Sequence, residues 1–181
     1  MMEFEGAFRV PGRPDDVMVQ FTDVERMARC MPGASLEGRD DEGNYLGVMT
    51  VAFGPKKIKF RGKVSCEFDM SGRSGKLRGR GAADLRAARI EMRTSFSVAP
   101  DPESPGDAPM SVVTLNSEAD LQGVLADFAK TGGAALANVI MEDFAKRLAA
   151  EFSSQGADGD LAATSISAHK VVWQAIKSKL S

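Results

Sequence analysis

The chain has 181 residues, 43% of them hydrophobic and 27% charged, and a formal net charge of −2. That size and balance fit one globular domain with a short tail, and the near-neutral charge removes any global electrostatic case for nucleic acid. Two cysteines, Cys30 and Cys66, and the single histidine, His169, stand apart with no CxxC or HExxH pattern, so neither a disulfide framework nor a metal site is expected.

The opening segment MMEFEGAF carries acids and no continuous apolar run, which argues against a signal peptide, and no stretch approaches the ~18 apolar residues of a membrane-spanning helix. From Met2 to Val10 the chain alternates. Met2, Phe4, Gly6, Phe8 and Val10 share one face, the period of a half-buried strand. Pro14 then opens a short helix, where its missing N–H costs nothing, and Asp15 and Asp16 suit the positive helix end. Val17, Met18 and Phe21 give this helix an apolar stripe, and Thr22 or Asp23 caps a second short helix. That second helix stops at Met31-Pro32-Gly33. Pro32 cannot continue it, and Gly33 accepts backbone angles that other residues resist. Met27, Cys30 and Met31 are left at its end, soft side chains that suit a core plug or a cavity wall.

The period then changes. Tyr45 to Phe53 alternates, Gly54-Pro55 turns the chain, and Ile58, Phe60, Gly62, Val64, Cys66 and Phe68 alternate with Lys57, Lys59, Arg61, Lys63, Ser65 and Glu67. Further strands are predicted at 76–83, 88–98 and 111–121, with one more as an option between Gly33 and Glu42. The polar, proline-rich stretch from Ala99 to Pro109 reads as a long, mobile loop. From Gly133 to Phe152, Ala137, Ile140, Met141, Phe144, Leu148 and Phe152 recur at helical spacing, giving a helix about 30 Å long. No strand is apolar on both faces, as a parallel sheet covered by helices requires. The expected fold is α+β: a curved antiparallel sheet of six or seven strands wrapped around a long C-terminal helix, with two short helices after the first strand. A cavity forms wherever sheet and helix part.

Three segments carry a more specific signal: FEGAFRVPGRPDDV from Phe4, FTDVERMARCMPGA from Phe21 and YLGVMTVAFGPKKIKFRGKV from Tyr45. With the long helix, they resemble the CoxG family, named for the CoxG component of carbon monoxide dehydrogenase, within the Bet v 1-like, START-related (SRPBCC) helix-grip superfamily. The resemblance covers roughly residues 2–152, and Phe21 to Gly33, Gly54-Pro55 and Gly62 match its pattern. It implies the helix-grip fold, with a cavity partly closed by the two short helices. It also implies a part in the assembly or membrane attachment of a molybdenum-containing carbon monoxide dehydrogenase or related hydroxylase. A small apolar ligand, a lipid or a quinone, follows from the superfamily. On this reading the protein is a non-enzymatic accessory factor without a resident cofactor, cytoplasmic or peripheral on the inner face of the membrane. The alternatives are a polyketide cyclase- or hydrolase-like enzyme of the same fold, and an interaction module with a filled core.

The residues expected to line the cavity are Phe21, Met27, Met31, Met49, Phe53, Phe60, Met92, Phe96, Ile140, Met141 and Phe144, with Gly47 and Gly62 leaving room between them. Plain core packing would use the same stripe. Lys57, Lys59, Arg61 and Lys63 form a basic row, either a solvated face that also guards a sheet edge or a docking surface for an acidic enzyme or anionic lipid. Nucleic acid is not an expected partner, because no aromatic residues interleave the row. No catalytic residues are expected: His169 lies in the tail, and Asp84 and Glu91 stand among Arg78, Arg80, Arg86 and Arg89, where surface ion pairs are the simpler reading. Arg78–Ala83 is not a dinucleotide fingerprint, and Lys130–Gly133 reads as a helix start.

The domain is expected to span 1–152, with a flexible linker at 153–165 and a short basic amphipathic helix at 166–181. In that tail Lys170, Val172, Trp173, Ile176, Lys177 and Lys179 would dock on the domain itself, a partner protein or an anionic membrane.

Overall fold

A computed structural model describes residues 1–155, apart from Asp84 and Arg86. The elements follow in the order β1 (Met2–Pro11), α1 (Pro14–Phe21), α2 (Val24–Cys30), β2 (Ala34–Arg39), β3 (Tyr45–Phe53), β4 (Lys56–Asp69), β5 (Ser74–Ala83), β6 (Arg89–Pro100) and β7 (Met110–Gln122). A 3-10 turn (Gly123–Leu125), α3 (Ala126–Thr131) and α4 (Gly133–Gln155) are the last elements of the described residues. One seven-stranded sheet contains all the strands in the order β1-β7-β6-β5-β4-β3-β2, and every neighbouring pair is antiparallel. The optional strand after Gly33 is therefore real, as β2.

The local chemistry agrees with the sequence. Pro14 starts α1, and the Asp23 carboxylate caps α2 by accepting the Arg26 N–H at 3.0 Å. Met31, ahead of Pro32, is extended at φ −76°, ψ 117°, and so ends α2. Gly33 then adopts φ +80°, and a Cβ there would stand 2.1 Å from the Thr50 carbonyl oxygen. This position takes glycine alone. Its carbonyl accepts the Thr50 N–H at 2.8 Å, which joins the end of the short helices to β3.

Three corrections concern the boundaries. Helix α4 runs to Gln155, so residues 153–155 belong to it and not to the expected linker. The loop after β6 is pinned at its root, because Asp101 is buried and its carboxylate meets Arg9 at 3.0 Å while accepting the Glu103 N–H. Strand β4 pairs with β5 only from Phe60 onward, so Arg61 and Lys63 lie between two strands and guard no sheet edge, whereas Lys57 and Lys59 lie on a stretch paired with β3 alone. The tail residues Lys170, Val172, Trp173, Ile176, Lys177 and Lys179, with His169, lie outside the described residues.

Among the described residues no single helix is long and apolar enough to cross a membrane. Buried Ala145, Leu148 and Phe152 mark α4 as the core helix of the fold.

Candidate functional site

The sheet has one inward face, and its register fixes which residues share it. Leu77, Thr94, Ser117 and Phe4 form one transverse row across β5, β6, β7 and β1; Gly79, Met92, Ala119 and Met2 form the next. Helix α4 does not cover this face evenly. Its backbone runs close to β1, α2 and α3, and keeps its distance from β3 to β6.

Burial follows that geometry. One packed cluster joins Phe8 and Val10 of β1, Val17, Met18 and Phe21 of α1, Cys30, Val98, Val113 and Leu115 to Ala145, Leu148 and Phe152 of α4. A smaller cluster at the far side centres on Phe60, Ala88 and Leu125, with Met49, Val51, Ile58, Ile90 and Leu121 against it. Between them, Val64 and Cys66 of β4, Leu77 of β5 and Met92 of β6 are only half-buried although they face inward. This strip is the candidate site.

The expected lining residues divide accordingly. Phe21, Met27, Phe96, Met141 and Phe144 belong to the first cluster, where Phe21 meets Phe96 edge-on at 5.1 Å and Phe8 meets Phe144 at 6.1 Å. The space left between α4, β1 and β7, beside Met141, is about 10 Å³, room for about one water. Met49 and Phe60 belong to the second cluster. Met31, Met92 and Ile140 are half-buried and lie outside both, while Phe53 ends β3 with its side chain outside the described set. The structure thus gathers most of the expected lining into packed groups and leaves Met92 on the open strip.

Sequence reasoning passed over two polar members of the inward face. Thr94 and Ser117, directly opposite on β6 and β7, share a hydroxyl–hydroxyl hydrogen bond of 2.7 Å, and alternation alone would have placed both inward. Cys66 sits beside Leu77, and burial pushes its thiol up to about 11. It therefore stays protonated at neutral pH and is a poor nucleophile.

Gly47, Gly62 and Gly81 form a row across β3, β4 and β5, but they leave no room. A Cβ on Gly62 would stand 2.1 Å from the Arg80 carbonyl oxygen, and one on Gly47 2.6 Å from that of Ser35. These glycines allow backbones to approach where the sheet curves. Gly79 differs: its Cβ would meet Val64 and Met92 side chains at 3.6 and 3.9 Å, ordinary contact distances on the open strip.

Helix α2 is tied to the last turns of α4. Arg26, 6% exposed, meets the Glu151 carboxylate at 2.7 Å, donates to the Glu151 carbonyl at 3.3 Å and lies 5.6 Å over the Phe152 ring. On the outward face Arg61 pairs with Glu37, and Lys63 with Asp40 and Glu42, each at 3.1 Å. Only Lys57 and Lys59 of the expected basic row remain exposed without an ion pair among the described residues. Among the described residues Arg78, Arg80, Arg89 and Glu91 form no ion pairs, and Asp84 and Arg86, with which the sequence groups them, lie outside those residues.

The family model of the carbon monoxide dehydrogenase CoxG component matches residues 6–155. No functionally curated protein matches the chain. Among solved structures, a conserved protein of Geobacillus kaustophilus is 17% identical with a TM-score of 0.72, covering 85% of this chain and 97% of its own. The XoxI protein of Bacillus cereus is 15% identical (TM-score 0.58; coverage 86% and 99%). The Zhui aromatase/cyclase of Streptomyces sp. R1128 is 14% identical (TM-score 0.59; coverage 88% and 98%). At these identities the structural likeness establishes the helix-grip fold alone.

Proposed function

The chain belongs to the CoxG family of carbon monoxide dehydrogenase components, and on that premise we propose that it is a non-enzymatic accessory protein that holds an apolar molecule against the inner face of its sheet. Its task is the assembly or membrane recruitment of a molybdenum-containing carbon monoxide dehydrogenase or related hydroxylase. The ligand is lipid- or quinone-like. Docking falls to exposed Lys57 and Lys59 and to the basic segment 166–181, against an acidic enzyme surface or an anionic membrane on the cytoplasmic side.

The observation that carries this reading is the half-buried strip of Val64, Cys66, Leu77 and Met92 between two packed clusters. Inward apolar groups that the protein's own helix leaves partly uncovered gain from an apolar guest, at about 25 cal/mol per Å² removed from water. The chemistry there favours holding over reacting, because the Cys66 thiol is held protonated and the Thr94 hydroxyl is bonded to that of Ser117.

The test compares the parent with Gly79→Leu, which would fill the strip without meeting backbone. Organic extraction and mass spectrometry of the purified parent should yield an apolar molecule that the variant lacks, while both melt alike. Menadione and oleate, added separately and followed by NMR shifts, should bind the parent saturably and the variant at least tenfold more weakly. An empty parent with no saturable shift for either probe would sink the proposal.

A further inference from the structure

The outward face of the sheet holds a second concavity, opposite the candidate site and independent of it. Over β1, β7, β6 and β5 the sheet forms an open groove of about 320 Å³. Its floor is the backbone of Phe4, Ser117, Thr94 and Leu77, one transverse row of the ladder. The two flanking rows supply its walls: Glu5, Asn116, Ser95 and Lys76 on one side, and Glu3, Glu118, Arg93 and Arg78 on the other.

The charges along this groove are sorted. One end carries Glu3 and Glu5 on edge strand β1, and the other carries Lys76 and Arg78 on β5. In the middle Arg93 pairs with Glu118 at 3.3 Å, so that pair neutralises itself. The four end residues are exposed and form no ion pair among the described residues. Arg78 stands directly opposite Arg93 in the ladder, so it has no acid across from it on β6. Four adjacent strands separate the two ends by three spacings of ~4.8 Å, about 14 Å in all.

We propose that this groove binds an extended segment of a partner protein that carries acidic residues at one end and basic residues about four positions away. An extended chain covers ~3.3 Å per residue, so four positions span the distance between the groove's ends. The acidic end lies on Lys76 and Arg78, and the basic end on Glu3 and Glu5. Polar Asn116 and Ser95 receive the intervening backbone. A purely acidic segment would place carboxylates against Glu3 and Glu5, so the groove selects a dipolar sequence rather than an anionic one.

The probe is an acetylated, amidated octapeptide with two glutamates and two lysines separated by four glycine and serine residues. Binding is followed by NMR shifts of the isotope-labelled full chain. The parent should bind this peptide, and raising the salt from about 50 to 500 mM should abolish binding, because surface charges are screened. Reversing one end, by Lys76→Glu with Arg78→Glu, should weaken binding about tenfold. Reversing both ends, by adding Glu3→Lys and Glu5→Lys, should restore it, because the peptide can turn around. These are exposed positions, and circular dichroism confirms that each variant is folded. Equal binding of an all-acidic peptide, or no restoration in the folded double-ended variant, would overturn the proposal. So would binding of neither peptide by the parent, or a change of oligomeric state in the one-ended variant, which would identify a second copy of this chain as the occupant.

Discussion

The two sides of the sheet's inner face are built from the same alternation of apolar residues, yet they end in different physical states. Toward β1 and β7, the side chains of α1, α2 and α4 close over the sheet, and Val10, Val17, Met18 and Leu148 are wholly buried. Toward the middle of β4 and β5, the backbone of α4 keeps its distance, and residues of the same type and orientation stay half-exposed. Burial here is set by where the covering elements lie, and not by the strand pattern. A fold can thus keep a stable core and an unsatisfied apolar surface on one continuous sheet.

The sharpest way to break this comparison is to cut an equivalent side chain from each side. Leu148→Ala removes a fully buried group and should cost about 3 kcal/mol, lowering the melting temperature by about 6–12 °C. Met92→Ala on the open strip should cost about 1 kcal/mol or less. Urea unfolding of both variants gives the ratio, and equal losses would mean that the strip is core after all.

Glycine substitutions sharpen the same contrast at lower cost. Gly62→Ala drives a methyl group into the Arg80 carbonyl and should destabilise by about 2 kcal/mol. Gly79→Ala meets only side chains at ordinary distances and should stay within about 0.5 kcal/mol of the parent. Thermal melts of the pair decide whether the glycine row bends the sheet or merely leaves space.

The smallest effect is chemical. Burial raises the pKa of both thiols, that of Cys66 to about 11. In the folded protein Cys66 should be alkylated by iodoacetamide slowly, about tenfold faster per unit of rising pH while the thiolate remains the minor form. Cys30, 4% exposed in the packed cluster, should react only on unfolding. An apolar guest on the strip should protect Cys66 and leave Cys30 unchanged.

Much of this architecture was legible in the sequence because it rests on periodicity and punctuation. Alternation located the strands from Tyr45 to Leu121, Pro14 and Pro32 bounded the short helices, and the 3.6-residue stripe marked α4. What was not legible depends on placement in space. The stripe of α4 names the residues it buries, but not that its N-terminal half leaves Val139 62% exposed and the β4–β5 face uncovered. The turn and short helix at 123–131 went unassigned, because Val124, Leu125 and Phe128 supply too few apolar positions to establish a period. The bare row of Gly47, Gly62 and Gly81 looked like vacancy, since a sequence cannot reveal that neighbouring backbone already fills the place of a side chain. The outer groove was invisible for a related reason: Glu3, Arg78 and Glu118 meet only through the register of four strands.

The strand order carries a consequence for how the molecule is made. Strands β2 to β7 form a meander in which each can pair with its predecessor as it leaves the ribosome. β1 cannot, because its sole ladder partner is β7, and Met2 faces Ala119. At ~5–20 residues per second, the first strand made waits roughly 6–23 s for its partner to be synthesised. During that time its alternating Phe4, Phe8 and Val10 are displayed on a nascent chain, kept from sticking by Glu3, Glu5 and Arg9 between them. The acids that end the outer groove in the finished protein thus have an earlier duty, as solubilising residues of a strand that is translated first and paired last.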